Sequence, residues 1–199
     1  MKKKVILVII VLLLTGCTIV RIDTNSIDNI TSVVLSKNNK LYNRIGRGYK
    51  YYVPRGVTYI DSSGSNDKLY SNGVYYYLFL DEVNYYYKKT INYKEDNTKY
   101  YSKKIDNKAK KGYLEITKKE KLYLIEFVYN YAKIEALVPQ NLINETVLNS
   151  SYILSTIKYN QNIIKLSLKD DLLKNREEKY EKFTQKNKDE GSFLKYEEK

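Results

Sequence analysis

Cys17 is the one cysteine of the 199-residue chain, and it stands directly after Leu14-Thr15-Gly16. A thiolate is a strong nucleophile toward an activated lipid head group, a task that serine or alanine would not serve. Once Cys17 is used in this way, no thiol remains for a disulfide or a redox centre, so stability must come from the core. Histidine is absent. Its absence removes the commonest general base, the commonest metal ligand and the near-neutral pH switch together. The acids Asp61, Asp67, Asp81, Glu82, Glu115, Glu126 and Glu135 are scattered, whereas a glycosidase needs two facing carboxylates. Glu126, on an apolar strand, is the one acid whose setting predicts a raised pKa; the ordinary alternative is a strand-face glutamate paired with a lysine. Ser62-Ser63-Gly64-Ser65 has no histidine to activate a serine. Asp61 to Asp67 lacks the spacing of a calcium loop. No phosphate loop and no metal-ligand cluster is present. These observations predict no enzyme, no catalytic residue, no metal and no cofactor.

The surroundings of Cys17 give it a role. Lys2, Lys3 and Lys4 precede an apolar run from Val5 to Leu14, and small residues then lead to the cysteine. That is the order of a secretory leader. Ten apolar residues are too few to span a bilayer core, which needs about twenty. The motif Leu14-Thr15-Gly16-Cys17 resembles the lipobox of bacterial lipoproteins. The resemblance implies cleavage before Cys17, a diacylglycerol on its thiol, and a location on the extracytoplasmic face of the cell membrane. It covers the first seventeen residues alone.

The chain carries 35 basic and 23 acidic residues, a formal charge of +12. Loss of the three leader lysines leaves +9, and residues 169–199 are neutral, with nine charges of each sign. The excess therefore lies in the folded part, at Arg44, Arg47, Lys50 and Arg55, and at Lys103, Lys104, Lys108, Lys110 and Lys111. The last five are the candidate contacts to an anionic surface. The partners this implies are the membrane through the lipid anchor, and anionic lipid or a phosphate-rich wall polymer. An exported protein meets no nucleic acid, and no protein partner is named by the sequence. A low-GC genome, rich in Lys, Asn, Ile and Tyr codons, would give the same basic excess without selection for a partner.

Tyrosine dominates the aromatics, with 23 Tyr against 4 Phe and no Trp. Two readings stand. Tyr rings and hydroxyls suit sugar faces and edges, or Tyr replaces Phe as the core and sheet-face aromatic. Asn72-Gly73-Val74-Tyr75-Tyr76-Tyr77-Leu78 is similar to one choline-binding wall repeat, but without the Trp and the recurrence that those repeats need.

The elements that must position these residues follow from local patterns. Thr24, Asn25 and Ser26 signal a helix start, and Ile27, Ile30 and Val34 carry the helix to about Ser36. Tyr49 to Val53 reads as a strand ended by Pro54, and Val57 to Ile60 as extended. Asp61 to Asp67 has a loop composition. Lys68 to Tyr70 and Val74 to Leu80 flank Asn72-Gly73, a hairpin cue. Val74 to Leu80, apolar on both faces, reads as a central strand. Residues 84–101 have weak strand character, and Asp106 to Gly112 reads as a basic turn. Three strands follow between Gly112 and Val138, with turns at Lys118-Lys119-Glu120 and near Asn130. Pro139 suits a helix start, and Ile143, Val147, Ser150, Leu154 and Ile157 form a helical stripe. Ile163 to Leu168 reads as a last strand or extended run. A charged segment follows, helical to about Gly191.

The stretch Tyr49-Lys50-Tyr51-Tyr52-Val53-Pro54-Arg55-Gly56-Val57, together with Ile153-Leu154-Ser155-Thr156-Ile157-Lys158, resembles the PsbP/Mog1-like domains, although Val57 stands where those carry an aromatic. The resemblance implies a binding or assembly module without catalytic residues. The expected organisation is a signal peptide at 1–16, a lipidated cysteine and tether at 17–25, an α+β domain at 26–168, and a charged helical or disordered tail at 169–199. The domain is expected to be a single antiparallel sheet flanked by helices. The expected function is a lipid-anchored, non-catalytic binding or scaffolding module at the cell envelope; the alternative is a wall-directed hydrolase using acidic residues.

Overall fold

Ser26 starts the first helix by accepting a hydrogen bond from the Asn29 amide, which satisfies one of the amides that a helix start leaves without a partner. The computed structural model describes residues 22–107 and 110–169. Within them α1 spans Ile27–Ser36, β1 Arg44–Gly46, β2 Tyr49–Tyr51, β3 Thr58–Ser63, β4 Asn66–Ser71 and β5 Val74–Leu80. Helix α2 is Glu82–Tyr86. Strands β6 Tyr101–Asn107, β7 Lys110–Lys119, β8 Leu122–Tyr129 and β9 Ala132–Val138 follow. A 3-10 turn at Gln140–Leu142 leads into α3, Ile143–Thr156; β10 is Lys158–Tyr159 and α4 is Gln161–Lys169.

The architecture is α+β. Seven antiparallel strands run in the order β3-β4-β5-β9-β8-β7-β6. The expectation of a single sheet is corrected by a second one, β1-β2-β10. It forms because β10 follows α3 directly and pairs with β2 through Lys158–Lys50 and Tyr159–Tyr49.

Helices α1 and α3 pack on each other, and α3 lies on β8 and β9. The stripe read from the sequence is the buried one: Ile143, Val147, Ser150, Leu154 and Ile157 are all buried. Each such aliphatic contributes about 1.5–3 kcal/mol by leaving water. The Asn72-Gly73 hairpin has both residues at positive φ, 48° and 81°, the backbone that a two-residue turn needs. Strands β7 and β8 approach so closely at Gly112 that a Cβ there would sit 1.9 Å from the Val128 carbonyl oxygen.

Four local readings are corrected. Asp61 to Asp67 is not a loop but the hairpin of β3 and β4, turning at Gly64-Ser65; pairing with β4 overrides a polar composition. Residues 84–101 hold no strand before Tyr101. Asp81 caps α2 instead by accepting from the Asn84 amide at 2.9 Å. The segment from Asp106 to Gly112 is paired strand up to Asn107 and again from Lys110, because lysines are tolerated on the edge strand β6. Ile163 to Leu168 is helical: Asn160 Oδ1 accepts from the amides of Asn162 and Ile163, an N-cap, and Ile164 and Ser167 face inward. The three strands from Gly112 to Val138 are present. The expected tail from 170 onward and the expected leader with Cys17 lie outside the described residues. Among the described residues no helix is long and apolar enough to cross a membrane.

Candidate functional site

Alternation along the strands gives the large sheet two faces. One carries the core under α1 and α3. The other carries a transverse polar row. Lys68 pairs with Tyr77, Tyr77 with Glu135, Glu135 with Glu126, Glu126 with Glu115, and Glu115 with Ser102. Three glutamates thus stand side by side on β9, β8 and β7. Directly opposed residues on neighbouring strands have Cβ atoms about 4.5–5.5 Å apart, and like charges so placed repel.

The sheet supplies a partner to each carboxylate. Glu135 is ion-paired with Lys133, and both are 2% exposed. Glu126 accepts from the Tyr113 hydroxyl. Glu115 accepts from the Tyr93 hydroxyl at 2.9 Å, from Thr117 at 3.3 Å, and from Lys99 at 3.2 Å. Tyr93 belongs to the irregular segment between α2 and β6, which lies over this end of the row. Its ring stacks on Tyr113 at 4.0 Å, and its oxygen is 2.7 Å from Ser102 Oγ. Burial first, and then the Glu115 carboxylate, push the Tyr93 hydroxyl up to about 12. Between this segment and the sheet is a cleft of about 280 Å³, lined by Lys89 to Asn92 on one side and Tyr113, Val128 and Lys133 on the other.

Burial raises the carboxyl of Asp67, on the core-facing side of β4. It accepts hydrogen bonds from Tyr51 and, at 3.4 Å, Tyr49, which join the small sheet to the large one. Burial, and then the Asp67 charge, push the Tyr51 hydroxyl well above its ordinary value. Asp61 is exposed on β3, Asp81 caps α2, and Glu82 is buried in that helix. Many tyrosines take the core role, with Tyr51, Tyr76 and Tyr129 fully buried.

The basic residues singled out by sequence are divided by strand alternation. Lys103 and Lys110 lie on the helix-covered side, Lys104 and Lys111 on the other; Lys108 is outside the described residues. Lys103 is paired with Asp28 of α1 and Lys111 with Asp106 at 3.5 Å. Lys110 donates to the Ser155 carbonyl at 3.1 Å; burial, then Lys158, lower its pKa.

Sequence reasoning named Glu115, Glu126 and Glu135 but did not align them, and it missed Lys133, Tyr93 and Tyr113. The signal was present in the turns. With two-residue turns at Glu120-Lys121 and Asn130-Tyr131, the pairing of the three glutamates follows. Among the described residues no group of three or more His, Cys, Asp or Glu side chains is arranged to hold a metal ion. No family model, no curated protein and no solved structure matches the chain. The likeness to lipoprotein leaders and to PsbP/Mog1-like domains therefore rests on the residues quoted for it.

Proposed function

We propose that this protein is a lipid-anchored, extracytoplasmic lipoprotein whose α+β domain binds or scaffolds at the cell envelope and performs no reaction. The observation that carries it is the single cysteine placed after a basic start, a ten-residue apolar run and Leu14-Thr15-Gly16. The domain's carboxylates support the non-catalytic part. Glu115, Glu126 and Glu135 each already hold a lysine or a phenol of the same chain. Anchoring needs nothing further from the domain, because two acyl chains hold a protein stably at a membrane.

The test is metabolic labelling with an alkyne fatty acid in cells expressing the full chain or its Cys17→Ala variant. The expected result is label in a shortened wild-type band and an unlabelled, uncut precursor for the variant. Equal label in both removes the proposal.

One observation favours the second reading, an acid-dependent wall hydrolase: the opposed register of Glu115, Glu126 and Glu135. Release of reducing ends from purified cell wall, abolished in Glu126→Gln, would establish that reading and overturn the first.

A further inference from the structure

A second concavity lies away from the carboxylate row, where the start of α1, the turn before α3 and the first residues of β6 meet. It measures about 490 Å³, within the roughly 300–1,000 Å³ of ligand pockets. Its lining is unusual in chemistry. Four carboxamides, Asn25, Gln140, Asn141 and Asn144, share it with the Asp28 carboxylate and the Tyr100 ring. None of the four carboxamide side chains hydrogen-bonds to another described residue, whereas half of the other described asparagines, such as Asn43, Asn107 and Asn130, are tied to the main chain.

We infer that this groove is a binding site for an uncharged oligosaccharide. A carboxamide presents one acceptor and two donors on a single plane, and a sugar hydroxyl both donates and accepts. Four such groups around one groove match a polyhydroxylated ligand. Asp28 adds a charge-assisted acceptor. Its carboxylate is already oriented by the Tyr101 hydroxyl at 2.9 Å and by Lys103, and bonding to Lys103 and then Tyr101 holds it below the usual carboxylate range.

Tyr100 supplies the apolar wall. It is 49% exposed, and its ring is braced edge-on by Tyr123 at 4.8 Å. The exposed part of the ring is available to meet the C–H face of a pyranose. The lining contains a carboxylate and no lysine or arginine, which disfavours an anionic ligand. Its few apolar side chains leave little to seat the side chains of a peptide.

The inference rests on the envelope reading only for access to glycans. The two fail separately: loss of Cys17 labelling bears on anchoring, and the following measurement on the groove. The full chain in detergent is titrated calorimetrically with a linear oligomer of N-acetylglucosamine, and separately with a tri-alanine peptide and with inorganic phosphate. Saturable binding of the sugar alone is expected, weakened at least about tenfold in Tyr100→Ala and in the Asn141→Ala/Asn144→Ala pair. Tyr100→Phe, which keeps the ring, is expected to bind as wild type, and unchanged thermal melts of all variants would show intact folding. Absence of saturable sugar binding, sugar affinity unmoved by the variants, or binding of the peptide or phosphate in place of the sugar would each overturn the assignment.

Discussion

On the helix-covered face of the large sheet, Leu78, Ile134, Phe127 and Leu114 form one row across β5, β9, β8 and β7. One residue along each strand, on the opposite face, the row reads Tyr77, Glu135, Glu126 and Glu115. The first row is buried by hydrocarbon from α3 and needs no direction. The second, partly covered by an irregular segment, holds three carboxylates side by side and needs a partner for each. A single-residue step thus separates non-directional burial from burial that depends on paired groups. This difference predicts how each face fails.

The largest effect should come from the hydrocarbon row. Phe127→Ala is expected to cost about 3–5 kcal/mol, because a fully buried ring leaves a cavity; urea unfolding followed by circular dichroism measures it. A loss below 1 kcal/mol would mean that the helix face is loosely packed. On the polar row, Lys133→Ala should cost about 3 kcal/mol, since it breaks a buried ion pair with Glu135. The pair replaced together, Lys133→Met with Glu135→Leu, should recover nearly all of that. If the double variant is as unstable as the single one, the row is held by something other than pairing.

Tyr93→Phe sharpens the comparison at the covered end. The ring stack on Tyr113 stays while the hydroxyl bonds to Glu115 and Ser102 go, for an expected loss of about 1 kcal/mol. The same unfolding experiment reads it, and no change would assign the segment's attachment to stacking alone.

The smallest effect is a pH dependence on the helix face. Burial raises the folded pKa of Asp67 above its ordinary value of 3.8. The folded state therefore binds a proton that the unfolded state has lost. The stability from Asp67 is complete below the ordinary value and declines as pH rises through the raised one. Asp28 acts in the opposite sense, its lowered pKa adding stability that is lost as pH falls. Asp67→Asn should remove the first trend and leave the second. Urea midpoints of the two proteins across the acid range test this, and parallel profiles would refute it.

Much of the fold was legible before the structure. The stripe from Ile143 to Ile157 and the hairpin at Asn72-Gly73 depend on helix period and turn backbone, which neighbouring residues determine. The readings that needed correction depend on distant partners. Strand β3 exists because β4 pairs with it, and β10 because β2 does. Helix α4 was hidden by a short apolar run that suits either element; its Asn160 cap was the local signal overlooked. The candidate sites were less legible. The amide groove joins Asn25, Tyr100 and Asn141, and no sequence spacing relates them.

The sequence by itself determined the single cysteine behind a basic start and an apolar run, the absence of histidine chemistry, the basic excess and the alternation from Ala132 to Val138, because each is a matter of residue type or of near neighbours. The tertiary structure decided what stands beside what. Register aligned Glu115, Glu126 and Glu135, alternation sent Lys103 and Lys104 to opposite faces, and the joining of two sheets buried Asp67 beneath Tyr51. Those outcomes are set by the mutual exclusion of water between elements far apart in the chain, where one residue of slip changes which side chains meet.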